Sequence, residues 1–246
     1  MRRLAIGDIH GGYLAMVQVL ERAGFDTEQD LLVGLGDYVD GWPDSYQVIN
    51  YLMELKNFKG VIGNHDLWFI EASIEILKNG IDVDELYHSF NYNWVSQGGE
   101  ATLRSYGKNL QSVQSHVRFL SNLPGYLIID DKLFIHGGCP DWQDLTNALP
   151  EQTTYSLTWD REMFYAFLRC DRKHPPVLSG FSECYIGHTS TSRFDKTLKP
   201  VFCNGLWNLD QGGGWEGKLT LMDIDSHEYW QSDIVGALYP YERGRG

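Results

Sequence analysis

This 246-residue chain is short of cysteine, short of positive charge and without a long apolar run. Each shortage narrows what it can be. The four cysteines, Cys139, Cys170, Cys184 and Cys203, form no C-x-x-C pair. Nothing in the sequence supports a disulfide between them, and they are expected to be reduced, mostly buried thiols. Lys and Arg number 20 against 33 Asp and Glu, a formal net charge of −13. A non-specific nucleic-acid surface needs clustered Lys and Arg, and none is present, so nucleic acid is not an expected partner. No apolar segment approaches the length of a membrane span, so no membrane partner is expected either. Leu4-Ala5-Ile6 is too short for the apolar core of a secretion signal, which makes the cytoplasm the expected location. With no Ser/Pro/Gly linker, repeat or low-complexity tract, residues 1–246 are expected to form one large α/β domain.

What is present is a set of five short segments of one design: apolar residues, glycine, and side chains that bind metals. They are Ile6-Gly7-Asp8-Ile9-His10-Gly11, Leu35-Gly36-Asp37-Tyr38-Val39-Asp40, Ile62-Gly63-Asn64-His65-Asp66, Ile135-His136-Gly137-Gly138 and Ile186-Gly187-His188-Thr189. In the fourth, the glycines follow the histidine, and such a pair permits close approach of backbone to a ligand. Asp, His and Asn together suit two divalent cations of intermediate hardness, a pair that most often hydrolyses phosphoesters. Such cations would also reverse the local sign of an acidic protein and draw phosphate toward it. The other four histidines, His88, His116, His174 and His227, lie outside these segments and are expected to be structural or on the surface.

The periodicity places the segments. Leu4 to Ile6, Leu31 to Leu35 and Val61-Ile62 read as short buried strands. Between and after them, Tyr13/Met16/Val17/Leu20, Val48/Tyr51/Leu52/Leu55 and Leu67/Ile70/Ile74/Leu77 recur at helical spacing. Gly24 and Asn79-Gly80 are stop signals, and Pro43-Asp44-Ser45 is a start. This β-α-β-α-β-α order predicts a parallel sheet with helices outside, and ligands beyond the carboxyl ends of its strands. Residues 81–125 read as a mostly helical insertion or cap, whose aromatics Tyr87, Phe90, Tyr92 and Trp94 are expected to be local core. From Tyr126 the chain turns β-rich. A hairpin crosses Asp130-Asp131, and strands follow at Glu183 to Ile186, Pro200 to Cys203, Leu206 to Leu209, Lys218 to Ile224 and Glu228 to Trp230. Gly212-Gly213-Gly214 reads as a flexible hairpin turn, not a phosphate cradle, because no helix follows it. The second half would supply a second sheet, giving an α/β/β/α sandwich of two mixed sheets between helical layers.

In order and in composition the five segments resemble the motifs of calcineurin-like metallophosphoesterases, in particular the phosphoprotein-phosphatase branch with its bacterial and phage members. The resemblance runs over residues 4–190 and implies a four-layer α/β/β/α fold, two metal ions and phosphoester hydrolysis. It makes Asp8 and His10 ligands of a first metal, Asp37 a bridge between two, and Asn64, His136 and His188 ligands of the second. It makes His65 the general acid, oriented by Asp40, with Asn64 and Arg161 also facing substrate. A bridging carboxylate suits cations about 3.5–4 Å apart, and a water they share can attack phosphorus as hydroxide near neutral pH. Manganese is the metal expected to work in an assay; iron or zinc also suits these ligands.

Two departures stand out. Where the family places a phosphate-binding arginine after Asp40, this chain has Gly41-Trp42, so a bidentate contact is missing there. Arg193, near His188 in sequence, is a candidate replacement. Arg161 itself has a plainer reading, an ion pair with Asp160 or Glu162. Asp66 stands where protein-directed members usually carry Glu. Asp is common there in relatives that cleave diadenosine tetraphosphate symmetrically, but those usually lack a counterpart of Asp40. The expected activity is therefore a serine/threonine-type protein phosphatase or broad phosphomonoesterase acting on phosphoproteins or small phosphoesters. The alternatives are a symmetrical dinucleoside polyphosphate hydrolase and, in another class, a metal-binding regulatory protein with little turnover.

Overall fold

The computed structural model describes residues 1–79, 92–107, 109–170 and 175–245. Its first sheet has the order β11-β10-β1-β2-β3, with β9 attached to β10. Here β1 is Arg3–Ile6, β2 Leu31–Gly34, β3 Phe58–Gly60, β9 Asp210–Gln211, β10 Lys218–Asp223 and β11 Tyr229–Gln231. The second sheet runs β4-β5-β6-β8-β7, with β4 Tyr126–Ile129, β5 Lys132–Ile135, β6 Glu183–Ile186, β7 Val201–Cys203 and β8 Leu206–Asn208.

β1, β2 and β3 are parallel, as the alternating pattern predicts. Helices α1 (Tyr13–Arg22), α2 (Ser45–Glu54) and α3 (Asn64–Asn79) connect and follow them. Each apolar stripe lies on the outer face of this sheet, where Leu4, Ile6 and Leu32 meet Met16, Val19, Val48, Leu52 and Phe69. On the inner face Ala5, Val33 and Met222 pack against Phe134, Tyr185 and Leu209, so the sheets are stacked. A third cluster joins Leu133, Ile135 and Ile186 to Leu157, Met163 and Phe164 of the helices Thr154–Trp159 and Glu162–Leu168. The result is the expected α/β/β/α sandwich.

The structure differs from the sequence reading in three places. β3 is Phe58–Gly60, not Val61-Ile62; the apolar pair follows the strand, with Val61 N–H still bonded to Gly34 and Ile62 N–H turning to Pro124. The second half is not uniformly β: helical turns fill much of 142–168, where short aromatic-rich stretches give no clear period. β9, β10 and β11 join the first sheet, because β10 pairs antiparallel with β1. The segment expected to be helical is so where it is described, at Tyr92–Trp94, a wide turn Val95–Gly99, Glu100–Tyr106 and Leu110–Ser121; Tyr87, Phe90, His88, His174 and Gly80 lie outside the described residues. All four cysteines are free thiols, with Cys139 and Cys184 buried and the other two half-buried. No helix among the described residues is long and apolar enough to cross a membrane.

Candidate metal centre and acid pair

The five segments meet at one place. Asp8 and His10 follow β1, Asp37 follows β2, and Asn64 and His65 open α3 beyond β3; His136 follows β5 and His188 follows β6. All seven are buried. The backbone takes left-handed conformations at His10 (φ 49°), Asp37 (φ 54°), Asp40 (φ 70°) and His188 (φ 62°). Non-glycine residues rarely sit there, and four in one site mark a geometry imposed by its surroundings. The flanking glycines are needed for contact. A Cβ on Gly187 would stand 2.0 Å from Asp8 Oδ1, and one on Gly63 would stand 2.2 Å from Asp37 Oδ1.

Two ligand groups share Asp37: Asp8, His10 and Asp37, and Asp37, His136 and His188. His10 Nε2 is 3.6 Å from Asp37 Oδ2, and His136 Nε2 is 3.3 Å from the same oxygen. Each ring is aimed by its other nitrogen. His10 Nδ1–H donates to the Val39 carbonyl at 3.1 Å and His136 Nδ1–H to the Leu35 carbonyl at 2.7 Å, which turns both Nε2 atoms inward as ligands require. Asn64 Oδ1 lies 3.1 Å from His136 Nε2, beside the second group.

The donor set fits two cations. Asp8 Oδ1 and His188 Nε2 are buried with no hydrogen-bond partner, as expected of atoms meant for a metal. Burial, reinforced by Asp210, pushes Asp8 well above the usual carboxylate range. Asp37 goes the other way: burial opposes its charge, but the imidazoles of His136, His65 and His10 prevail and hold it well below that range. His136 is likewise opposed by burial, yet Asp37 lifts it to about 9. Crowded anions and imidazoles of this kind are what divalent cations relieve.

The second constellation is the pair His65 and Asp40. His65 Nδ1 and Asp40 Oδ2 are hydrogen-bonded at 2.8 Å, and His65 Nε2 is buried without a partner beside the candidate metal groups. Asp40 is held by more than His65. Trp94 Nε1–H donates to Oδ2 at 2.8 Å and the Thr102 hydroxyl to Oδ1 at 2.8 Å. Burial pushes His65 down to about 3 and Asp40 up to about 8. Both shifts disfavour charge, so the pair is neutral as a whole near pH 7 and holds a proton it can release. Trp94, read from sequence as local core, is core and anchor at once; nothing in its spacing marks the second role.

Asp66 is a support that sequence reasoning treated only as a clue to substrate. Its carboxylate accepts the N–H groups of Asp37, Tyr38 and Gly63, each at 2.9 Å, tying the second segment to the third. Gly137-Gly138 serve packing. Their N–H groups donate to Leu157, and a Cβ on Gly138 would meet Asp160 Oδ1 at 2.3 Å. This seats the helix Thr154–Trp159 against the site and brings in Arg161. Arg161 donates to His188 O and Thr189 Oγ1, both at 3.1 Å, and shows no ion pair with Asp160 or Glu162 among the described residues. Asp160 instead caps the next helix through Met163 N–H.

Three further features were not foreseen. Asp210 is buried near Asp8 and lines a cleft with Arg161, His188, Arg193, Trp215 and Arg245. Gly212–Gly214 turn between β9 and β10 as expected, but they pack on the site: a Cβ on Gly214 would meet the His10 ring at 2.4 Å. Beside Gly41 lies Arg245, not Arg193, whose guanidinium sits over the Trp215 ring. Of the remaining histidines, His116 is buried and bonded to Tyr106 and Asn50, and His227 packs on Trp207.

The comparisons agree with this geometry. A family model described as calcineurin-like phosphoesterase matches residues 1–196. The chain is 37% identical to the symmetrical bis(5'-nucleosyl)-tetraphosphatase of Pseudomonas fluorescens, over 97% of this chain and 96% of that protein. It is 26% identical to serine/threonine-protein phosphatase 1 of Salmonella typhimurium, over 89% of this chain and 90% of that one. Three other tetraphosphatase matches span only 29%, 34% and 37% of the relatives' length. The fold is similar to that of a metallophosphoesterase from Sphaerobacter thermophilus, with TM-score 0.53 and 18% identity over 94% of this chain and 87% of that structure.

Proposed function

The chain belongs to the calcineurin-like phosphoesterase family and is a phosphoric ester hydrolase; from that premise we propose that it cleaves phosphomonoesters with poor leaving groups, such as phosphoserine or phosphothreonine. The observation that carries this reading is the buried His65–Asp40 pair, with His65 Nε2 unpartnered beside the ligands. A general acid contributes most when the departing oxygen is a basic alkoxide, and little when it is a phosphate.

Asp8, His10 and Asp37 would hold one divalent cation, and Asp37, Asn64, His136 and His188 the other. When bound, the cations supply Lewis-acid polarisation of phosphoryl oxygens and an activated water; manganese is the metal proposed for assay, with iron or zinc also suited to these donors. The protein does the rest. The burial of the site excludes bulk water and strengthens each contact. Arg161, poised at the His188 carbonyl, offers its guanidinium to an equatorial oxygen. Asn64, which meets His136 at the start of α3, would face the same phosphate. His65 delivers a proton from Nε2 to the leaving oxygen as Asp40, fixed by Trp94 and Thr102, passes its own proton to Nδ1 and keeps the ring oriented.

The relatives favour a second reading, hydrolysis of a dinucleoside polyphosphate. Proteins of that name match at 37% and 40% identity over more than nine-tenths of this chain. The third expectation, a regulatory metal binder with little turnover, gives way to family membership.

The experiment compares wild type and His65→Ala, loaded with manganese, on a phosphoserine peptide and on diadenosine tetraphosphate. Under the proposal the peptide is the better substrate, and its turnover falls roughly 10²–10⁴-fold in the variant with metal content unchanged. A preference for the dinucleotide, with little effect of the substitution, would establish the second reading instead.

A further inference from the structure

We propose that Arg245 is a substrate-binding residue, delivered to the mouth of the metal centre by the segment 239–245 to hold a phosphate oxygen. The proposal rests on the phosphoester reading of the site. Arg245 Nη1 lies 3.3 Å from His10 Nε2, a metal-ligand atom at the far end of the chain. Its Nε is buried and without a hydrogen-bond partner. Among the described residues no carboxylate forms an ion pair with it. A guanidinium held in this way keeps its fork of donors for another acceptor, and a phosphate group matches that fork in shape and charge. The same side chain lines the cleft with Arg161, His188 and Arg193, so phosphate entering there would meet several cations on a protein of net charge −13.

The segment is built to bring Arg245 to this point. Trp42 donates its indole N–H to the Gly213 carbonyl at 2.7 Å and stacks on Tyr239, with ring centroids 5.2 Å apart. A Cβ on Gly244 would meet Trp42 at 2.9 Å, so the chain passes close over the indole. Arg245 N–H then donates to Gly214 O at 3.0 Å, and its guanidinium carbon stands 5.0 Å from the Trp215 ring centre. Its aliphatic stem fills the space beside Gly41: a Cβ there would approach Arg245 Cγ to 2.9 Å. Gly41 and Trp42 thus act together. One leaves room for Arg245, and the other is the platform for the segment that carries it.

The test uses the full chain loaded with manganese, as wild type, Arg245→Ala and Arg245→Lys. Calorimetry measures binding of inorganic phosphate and of manganese, and steady-state assays on p-nitrophenyl phosphate separate KM from kcat. Arg245→Ala should weaken phosphate binding and raise KM roughly 10- to 100-fold with manganese binding unchanged. Arg245→Lys should recover part of the loss, since it keeps the charge without the fork. Phosphate binding equal to wild type in Arg245→Ala overturns the proposal. So does tighter manganese binding with faster turnover in that variant, which would make Arg245 a plug over His10. Wild type that neither binds phosphate nor hydrolyses the ester overturns the phosphoester reading itself, and the proposal with it.

Discussion

The candidate metal cradle and the rim around it are built on different principles. Each residue of the cradle lies within two positions of a glycine at a strand end or helix start: Asp8, His10, Asp37, Asn64, His136 and His188. Their placement follows from the sheet topology and a few strained backbone angles, with the carbonyls of neighbouring strand ends aiming the rings of His10 and His136. The rim is assembled from afar. Asp40 is held by Trp94 and Thr102, 54 and 62 residues along the chain, and Arg245 reaches His10 across 235 residues. Local construction suits a function that tolerates little displacement, such as holding two cations. Remote construction lets substrate recognition change while the cradle stays in place.

The hardest way to break that division is to remove the residue common to both ligand groups. Asp37→Asn should lower turnover at least ~10³-fold and leave fewer than two manganese ions bound per chain, read by metal analysis. The fold should survive, because the Asp66 carboxylate binds the backbone N–H of residue 37, which the substitution leaves in place. A variant that kept both metals and most of its rate would mean that Asp37 is not the shared ligand.

The contrast also accounts for what the sequence made legible. Strand, glycine and ligand lie side by side, so the cradle could be read as motifs; β1, β2 and the helices followed from periodicity, whereas β3 lies just before the apolar pair that signalled it. The rim could not be read that way. Trp94 looks like any aromatic in a helical stretch, and only the fold shows its indole N–H against Asp40. Arg245 carries no local signal at all, and its role becomes visible only beside Gly41. The antiparallel pairing of β10 with β1 was invisible for the same reason: strand identity is local, but partner choice is not. Gly137-Gly138 carry an ambiguous signal, since a glycine pair fits a close helix as well as a close ligand.

A milder perturbation tests whether the rim acts through the acid pair. Trp94→Phe keeps the ring in the core but leaves Asp40 Oδ2 with one donor fewer. The lost contact to a buried carboxylate is worth about 1.5–3 kcal/mol, enough to lower kcat on a phosphoserine substrate about tenfold or more. Turnover of p-nitrophenyl phosphate, whose leaving group needs little protonation, should fall much less. Equal losses on both substrates would make Trp94 a packing residue only.

The smallest expected effect concerns stability, at a point on the rim away from the metals. His116 is buried between the helix that carries Thr102 and the first sheet's α2. Its Nε2–H donates to Asn50 Oδ1 at 3.0 Å, and its Nδ1 accepts the Tyr106 hydroxyl at 2.8 Å. Both bonds are made by the neutral ring, and burial pushes its pKa from 6.5 down to about 4. The unfolded chain therefore takes up a proton first as pH falls. The contribution of His116 is complete at neutral pH and is lost progressively as pH falls below about 6.5 toward 4. Between pH 7 and 5.5 the loss should be about 1 kcal/mol. Urea titrations at the two pH values should show a steeper decline for wild type than for His116→Gln, which cannot titrate. The same decline in both proteins would place the acid sensitivity elsewhere, in the carboxylates and histidines of the cradle.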